Sequence, residues 1–181
     1  EQTLRVRYIG DCSCTKKGIS FLTSSRDGTL KRWYRGKTEG EILIRHKKRI
    51  TDFCISQDGR FAYTVSRDGS IGRIDLSGQH AAFFFSEGHS AAILSVVVSF
   101  NGDDLFTCSA PSKSVHGEII HWRTSDGGLL DRYAFNDNHA CCLTLWEDGL
   151  EKRLYAGMKS GHVYSFSATL GDMKILSGKH N

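Results

Sequence analysis

The chain has 181 residues, 39% apolar and 10% aromatic, a length and a core allowance that suit one folded domain and exclude a disordered tail. Its 24 Lys and Arg stand against 20 Asp and Glu, so the net charge of +4 excludes a polybasic arm and any basic function must be local. No run of 18 apolar residues suggests a membrane helix, EQTLRVRYIG at the start holds no long apolar stretch, and Cys12, Cys14, Cys54, Cys108, Cys141 and Cys142 suit free thiols, so the expectation is a soluble intracellular protein, cytoplasmic or nuclear.

Along the chain the signal is β throughout. FLTSS (21–25), TLKRW (29–33), EILI (41–44), FAYTVS (61–66), AILSVVVSF (92–100), EIIHW (118–122) and HVYSF (162–166) are short runs rich in β-branched and aromatic residues. Between them lie Asp-Gly or Asn-Gly pairs at 27–28, 58–59, 68–69, 101–102, 126–127 and 148–149, which supply the positive φ that tight hairpin turns require. No long helical period competes. The chain reads as all-β and built of hairpins.

Repetition narrows the architecture. SRDGTLKRW (25–33) returns as SRDGSIGRI (66–74), 41 residues later. HKKRITDFCISQDG (46–59) aligns with HSAAILSVVVSFNG (89–102) at an offset of 43, with His first, Ile50 above Ile93, and Gly last. A period of about 40–45 residues is that of a four-stranded propeller blade. A β-sandwich of the same short strands is the competing reading.

These residues resemble the WD-repeat β-propeller family, whose repeat carries a His before the innermost strand, a Ser or Thr in the second strand, an Asp-Gly turn, and a Trp ending the third strand. The resemblance covers almost the whole chain with a degenerate motif. Repeat one offers Thr23, Asp27 and Trp33, with Arg5 where His is expected; repeat two offers His46, Thr64 and Asp68, with Ile74 for Trp. Repeat three offers His89, Thr107 and Trp122, its Asp lost to an inserted loop, APSKSVH (110–116). Repeat four holds Asn136, Ala156, Ser160 and Phe166 in the four slots. The resemblance implies four-stranded antiparallel blades over approximate repeats 5–45, 46–88, 89–135 and 136–179 in a single domain. It also implies a structural network in which the Asp accepts from the His, the His is linked to the hydroxyl, and the hydroxyl to the indole. Family propellers close with seven or eight blades, so the chain is expected to be an arc of a larger ring, completed by further sequence, such as a blade that LSGKH (176–180) would enter, or by another chain.

In such a propeller the loops entering the inner strands and the turns between second and third strands share one face. That face receives Arg26, Arg45, Lys47, Lys48, Arg49, Arg67 and Lys113, while Asp58, Asp103, Asp104, Glu147, Asp148 and Glu151 fall opposite. The candidate partner-binding residues are Arg26, Lys47, Lys48, Arg49, Arg67, Lys113 and His116, the last two in the inserted loop. The resemblance implies a non-catalytic scaffold for protein partners within a larger complex. The alternative is direct binding of nucleic acid or acidic phospholipid through the basic rim.

No cofactor, metal or catalytic residue is expected. Walker-type, GxSxG, HExxH and EF-hand patterns are missing from the sequence. Cys12 and Cys14 lack partners at zinc spacing, and the adjacent Cys141 and Cys142 read as core filling. His116, His121 and His162 read as structural.

Overall fold

The computed structural model describes residues 5–9, 20–149 and 151–176, the first of these stretches by its backbone. Cys12, Cys14 and positions 177–180 of the closing stretch lie outside them. Among the described residues there is no helix, and the strands run β1 (Arg5–Ile9), β2 (Ser20–Ser24), β3 (Thr29–Tyr34), β4 (Glu41–Arg45), β5 (Ile50–Ile55), β6 (Phe61–Ser66), β7 (Ile71–Asp75) and β8 (Phe83–Phe84). They continue as β9 (Ile93–Val98), β10 (Asp104–Ser109), β11 (Glu118–Arg123), β12 (Leu129–Ala134), β13 (Ala140–Glu147), β14 (Lys152–Met158), β15 (Val163–Ser167) and β16 (Lys174–Ile175).

Among the described residues strands pair only with their chain neighbours, giving four separate antiparallel sheets: β1 to β4, β5 to β8, β9 to β12 and β13 to β16. These are propeller blades, and the sandwich reading is set aside because the sheets are four in succession rather than two face to face. Turn chemistry explains the regularity. Between second and third strands Ser25 N donates to Thr29 O, Ser66 N to Ser70 O, and Met158 N to His162 O. Each of these turns places a glycine at positive φ: Gly28 at 83°, Gly69 at 87° and Gly161 at 85°. At Gly69 a side chain is excluded twice over, since an added Cβ would also run into the carbonyl oxygen of His89 in the next blade's entry loop.

The cores lie between blades. Leu22, Leu30 and Ile44 of blade one pack with Phe53, Ala62 and Ile74 of blade two. Tyr63, Val65 and Ile71 of blade two pack with Leu105, Ile120 and Trp122 of blade three. Phe106, Cys108 and Ile119 of blade three pack with Leu154, Ala156 and Phe166 of blade four. Each large side chain fully buried in these layers contributes about 1.5–3 kcal/mol.

The first strands of blades two, three and four lie side by side and are cross-linked. Thr51 Oγ1 donates to Ile93 O at 2.6 Å, Ser95 Oγ to Asp52 Oδ2 at 3.0 Å, and Leu143 N to Ser95 Oγ at 3.3 Å. The carboxylate of Asp52, 3% exposed, thus joins strands β5 and β9 where only apolar contact would be expected from alternation.

Candidate functional site

The repeat's polar residues form a directional relay, most complete in blade three. The Trp122 indole can only donate, and Nε1 does so to Thr107 Oγ1 at 2.8 Å. Glu118 is acceptor-only as a carboxylate and takes the proton on Nδ1 of His89 at 2.9 Å. Nε2 of His89 is therefore the bare nitrogen that accepts from the Thr107 hydroxyl, at 2.7 Å. His89, Thr107, Trp122 and Glu118 are all buried. Burial lowers the His89 pKa, opposed by Glu118, and the imidazole is neutral at neutral pH.

Glu118 was not legible as a network member. The inserted loop removes the turn Asp, and the carboxylate returns from the first residue of β11, one methylene longer and held from behind by Arg132 Nε at 3.3 Å. Burial raises Glu118, but the hydrogen bond from His89 and the charge of Arg132 outweigh it and leave its pKa below the ordinary range.

Blade two uses the same logic with a serine interposed. His46 Nε2 meets Thr64 Oγ1 at 2.8 Å, and Nδ1 meets Ser70 Oγ at 2.6 Å. The Ser70 hydroxyl in turn donates a hydrogen bond to Asp68 Oδ1, which is 3.9 Å from the imidazole. The expected direct His–Asp bond is thus a His–Ser–Asp bridge. Asp68 Oδ2 also caps the amides of Lys47 and Lys48, at 2.8 and 3.2 Å. Burial drives the His46 pKa down to about 4 against the opposing charge of Asp68. Ile74 supplies no donor, so the relay stops at Thr64.

Blade one keeps Trp33 Nε1 to Thr23 Oγ1 at 2.8 Å, and Asp27 accepts from Thr29. Arg5 pairs with Ser24 inside β1. That register sets it within the innermost strand rather than in the His slot ahead of it.

Blade four abandons the relay. Phe135 N donates to Gly117 O as His46 N does to Gly28 O and His89 N to Gly69 O, so Phe135 occupies the His slot and Asn136 lies one residue beyond. Pairing register puts Ala156 where Thr107 stands and Phe166 where Trp122 stands. Phe135, Tyr133, Tyr164 and Phe166 form an aromatic cluster, with Tyr133 and Phe166 rings 5.1 Å apart. The turn is tied by Asn138 Nδ2 to Ser160 Oγ at 2.9 Å, on the surface.

Of the candidate binding residues, Arg26 and Arg49 come together. They line a cavity of about 400 Å³ at the axial end of the inner strands, with Ser24, Ile50, Thr51, Leu94 and Cys141. Lys47, Lys48 and Arg67 are exposed and do not line it. Lys113 and His116 are exposed on the inserted loop, where His116 Nδ1 meets Asn136 O at 2.8 Å, on the side of blade four.

On the opposite face Asp104 is engaged by His121 Nε2 at 2.8 Å and by Lys152. Cys141 and Cys142 are exposed and do not fill the core: a bulge between Ala140 and Cys142 leaves Cys141 at the axial cavity. Cys54 and Cys108 are buried, and burial pushes the Cys108 thiol well above its ordinary range. Among the described residues no group of three His, Cys, Asp or Glu side chains is arranged to hold a metal, and no helix is long and apolar enough to cross a membrane.

Residues 38–72 match the family model described as WD domain, G-beta repeat, a span that runs from the loop before β4 to the start of β7 and includes His46, Thr64 and Asp68. No curated protein matches the chain.

Proposed function

From a chain built of WD repeats, we propose a scaffold that binds protein partners on the face formed by the inner-strand entry loops and the second-to-third-strand turns, within a larger complex and without catalysis. WD repeats serve in general as protein-interaction scaffolds and are typically non-catalytic. The observation that carries the reading is the backbone stitching behind Arg26 and Arg49. Ile50 N donates to Ser25 O, Arg67 N to Arg49 O, and Ser66 Oγ to the carbonyls of Lys48 and Arg49. Two loops from adjacent blades are thereby held rigid while presenting charge, which limits the ordering cost of a bound partner.

The test is affinity capture with the chain as bait, quantified against Arg26→Glu/Arg49→Glu and Lys47→Glu/Lys48→Glu. A defined set of proteins retained by the parent and lost from one charge-reversed form is the expected result. Retention of the same proteins by both forms would remove this face from the account. Repeating the capture at raised salt separates a phosphate-backbone or anionic-lipid contact, which weakens steeply, from a docked peptide, which does not.

A further inference from the structure

We infer that the cavity between the outer strands of blades one and two docks a partner peptide through an apolar side chain that stands beside a single carboxylate. This rests on the scaffold reading and gives it a partner chemistry at the outer rim, away from the axis. The cavity measures about 360 Å³ and is lined by Arg45 at the end of β4, His46 and Lys47 of the entry loop, Asp68 and Ser70 of the following turn, and Phe84 of β8. That volume suits one side chain with its flanking backbone.

Phe84 supplies the apolar contact. It is 44% exposed, and its ring stands edge to face with His46, centroids 4.9 Å apart at 82°. His46 is itself tied at both nitrogens, to Thr64 and Ser70, so the ring rests on a fixed mount. The cations rise from fixed backbone as well. Arg45 pairs with Thr29 in the ladder of β3 and β4, and Asp68 Oδ2 accepts from the Lys47 amide at 2.8 Å. A surface held in this way loses little freedom when a second group covers it.

Charge selects the occupant. Arg45 and Lys47 are exposed, and among the described residues neither side chain makes an ion pair or a hydrogen bond. Asp68 opposes them within the same lining. Burial raises the Asp68 pKa, but hydrogen bonds from Ser70 outweigh it, so the carboxylate stays charged. His46, driven down to about 4 by burial, is neutral. The lining therefore carries one positive charge in excess, which one carboxylate balances. A phosphate monoester, at about −1.5 to −2, would exceed that charge and face the Asp68 carboxylate. A nucleic-acid strand needs several stacking rings along a basic track, whereas Phe84 is the one benzene ring in this lining and Glu41 stands at the other end of β4.

The experiment passes four probes over the immobilised chain: a degenerate peptide library with a fixed leucine beside a fixed glutamate, the same library with glutamine for glutamate, the same with phosphoserine, and a single-stranded oligothymidylate. The glutamate library is expected to be retained above the other three. Arg45→Gln, which keeps the stem and removes the charge, and Phe84→Ala should each weaken retention by about fivefold or more. Lys48→Gln, outside the cavity, should leave it within about twofold. Circular dichroism melting establishes which variants fold, and Arg45→Gln, at an exposed position, decides the outcome if Phe84→Ala does not. Equal retention of the glutamate and glutamine libraries, stronger retention of the phosphoserine library, no retention, retention unchanged in Arg45→Gln, or Arg45-dependent retention of the oligonucleotide in place of peptide overturns the assignment. Proteins lost on capture from the Arg26→Glu/Arg49→Glu form while the glutamate library is not retained would leave the scaffold reading standing and this one refuted.

Discussion

Blades three and four solve the same problem with opposite chemistry. In blade three the slots hold His89, Thr107 and Trp122, each donor meeting an acceptor and the chain ending on Glu118. In blade four the same slots hold Phe135, Ala156 and Phe166, with no polar atom to satisfy. Both arrangements are self-consistent because the replacement is complete. A buried hydrogen bond is worth only about 1 kcal/mol net, but one unmatched partner costs the full desolvation of that group. Blade two is the informative intermediate: it loses the indole, which only donates, and Thr64 still has His46.

Mixing the two chemistries should give the largest effect. Thr107→Val leaves both the Trp122 indole and the His89 nitrogen unpaired in a buried site, and is expected to destabilise by about 2–4 kcal/mol in denaturant unfolding. Ala156→Thr places a hydroxyl among blade four's aromatic rings and should cost about 1–3 kcal/mol. If Thr107→Val were neutral, the relay would be incidental to stability.

Acid separates the blades next. The His46 pKa lies near 4 in the folded chain against 6.5 when unfolded, so protonation favours the unfolded chain and stability falls as pH drops from about 6.5 to about 4. At roughly 1.4 kcal/mol per unit this is a loss of about 3 kcal/mol by pH 4, to which His89, lowered by burial, adds in the same direction. Glu118 and Asp68, held below their ordinary values of 4.5 and 3.8, add their loss as pH falls through those values and below. Hydrogen exchange should show protection in β6 and β10 declining through that window, while β14, whose three slots do not titrate, holds. Equal decline in all three strands would contradict the contrast.

The smallest effect belongs to blade four's surface tie. Asn138→Ala removes the exposed bond to Ser160 and the one that Oδ1 accepts from His139 N, and should change stability by no more than about 1 kcal/mol in the same unfolding measurement.

What could be read from the sequence follows from this contrast. Thr23 with Trp33, His46 with Thr64, and His89 with Thr107 and Trp122 are paired by hydrogen bonds, and each pair sits at a fixed spacing from a turn. Alignment failed where the loop lengths changed. The insertion at 110–116 hid Glu118, Arg5 pairs within β1 instead of standing ahead of it, and blade four's entry loop shifted Phe135 out of alignment by one residue. Cys141 and Cys142 were misjudged because a bulge breaks the alternation that would have buried one of them.

Period, turn glycines and alternating apolar positions are local properties of the chain, and they suffice to specify the four-stranded units. Which distant groups meet was settled by packing in three dimensions: within blade three the carboxylate of Glu118 on His89, and across blades the Asp52 link between inner strands and the convergence of Arg26 with Arg49. The two cross-blade contacts join residues 43 and 23 positions apart, and their geometry depends on how one sheet is rotated onto the next, which side-chain packing between blades sets and no single repeat encodes.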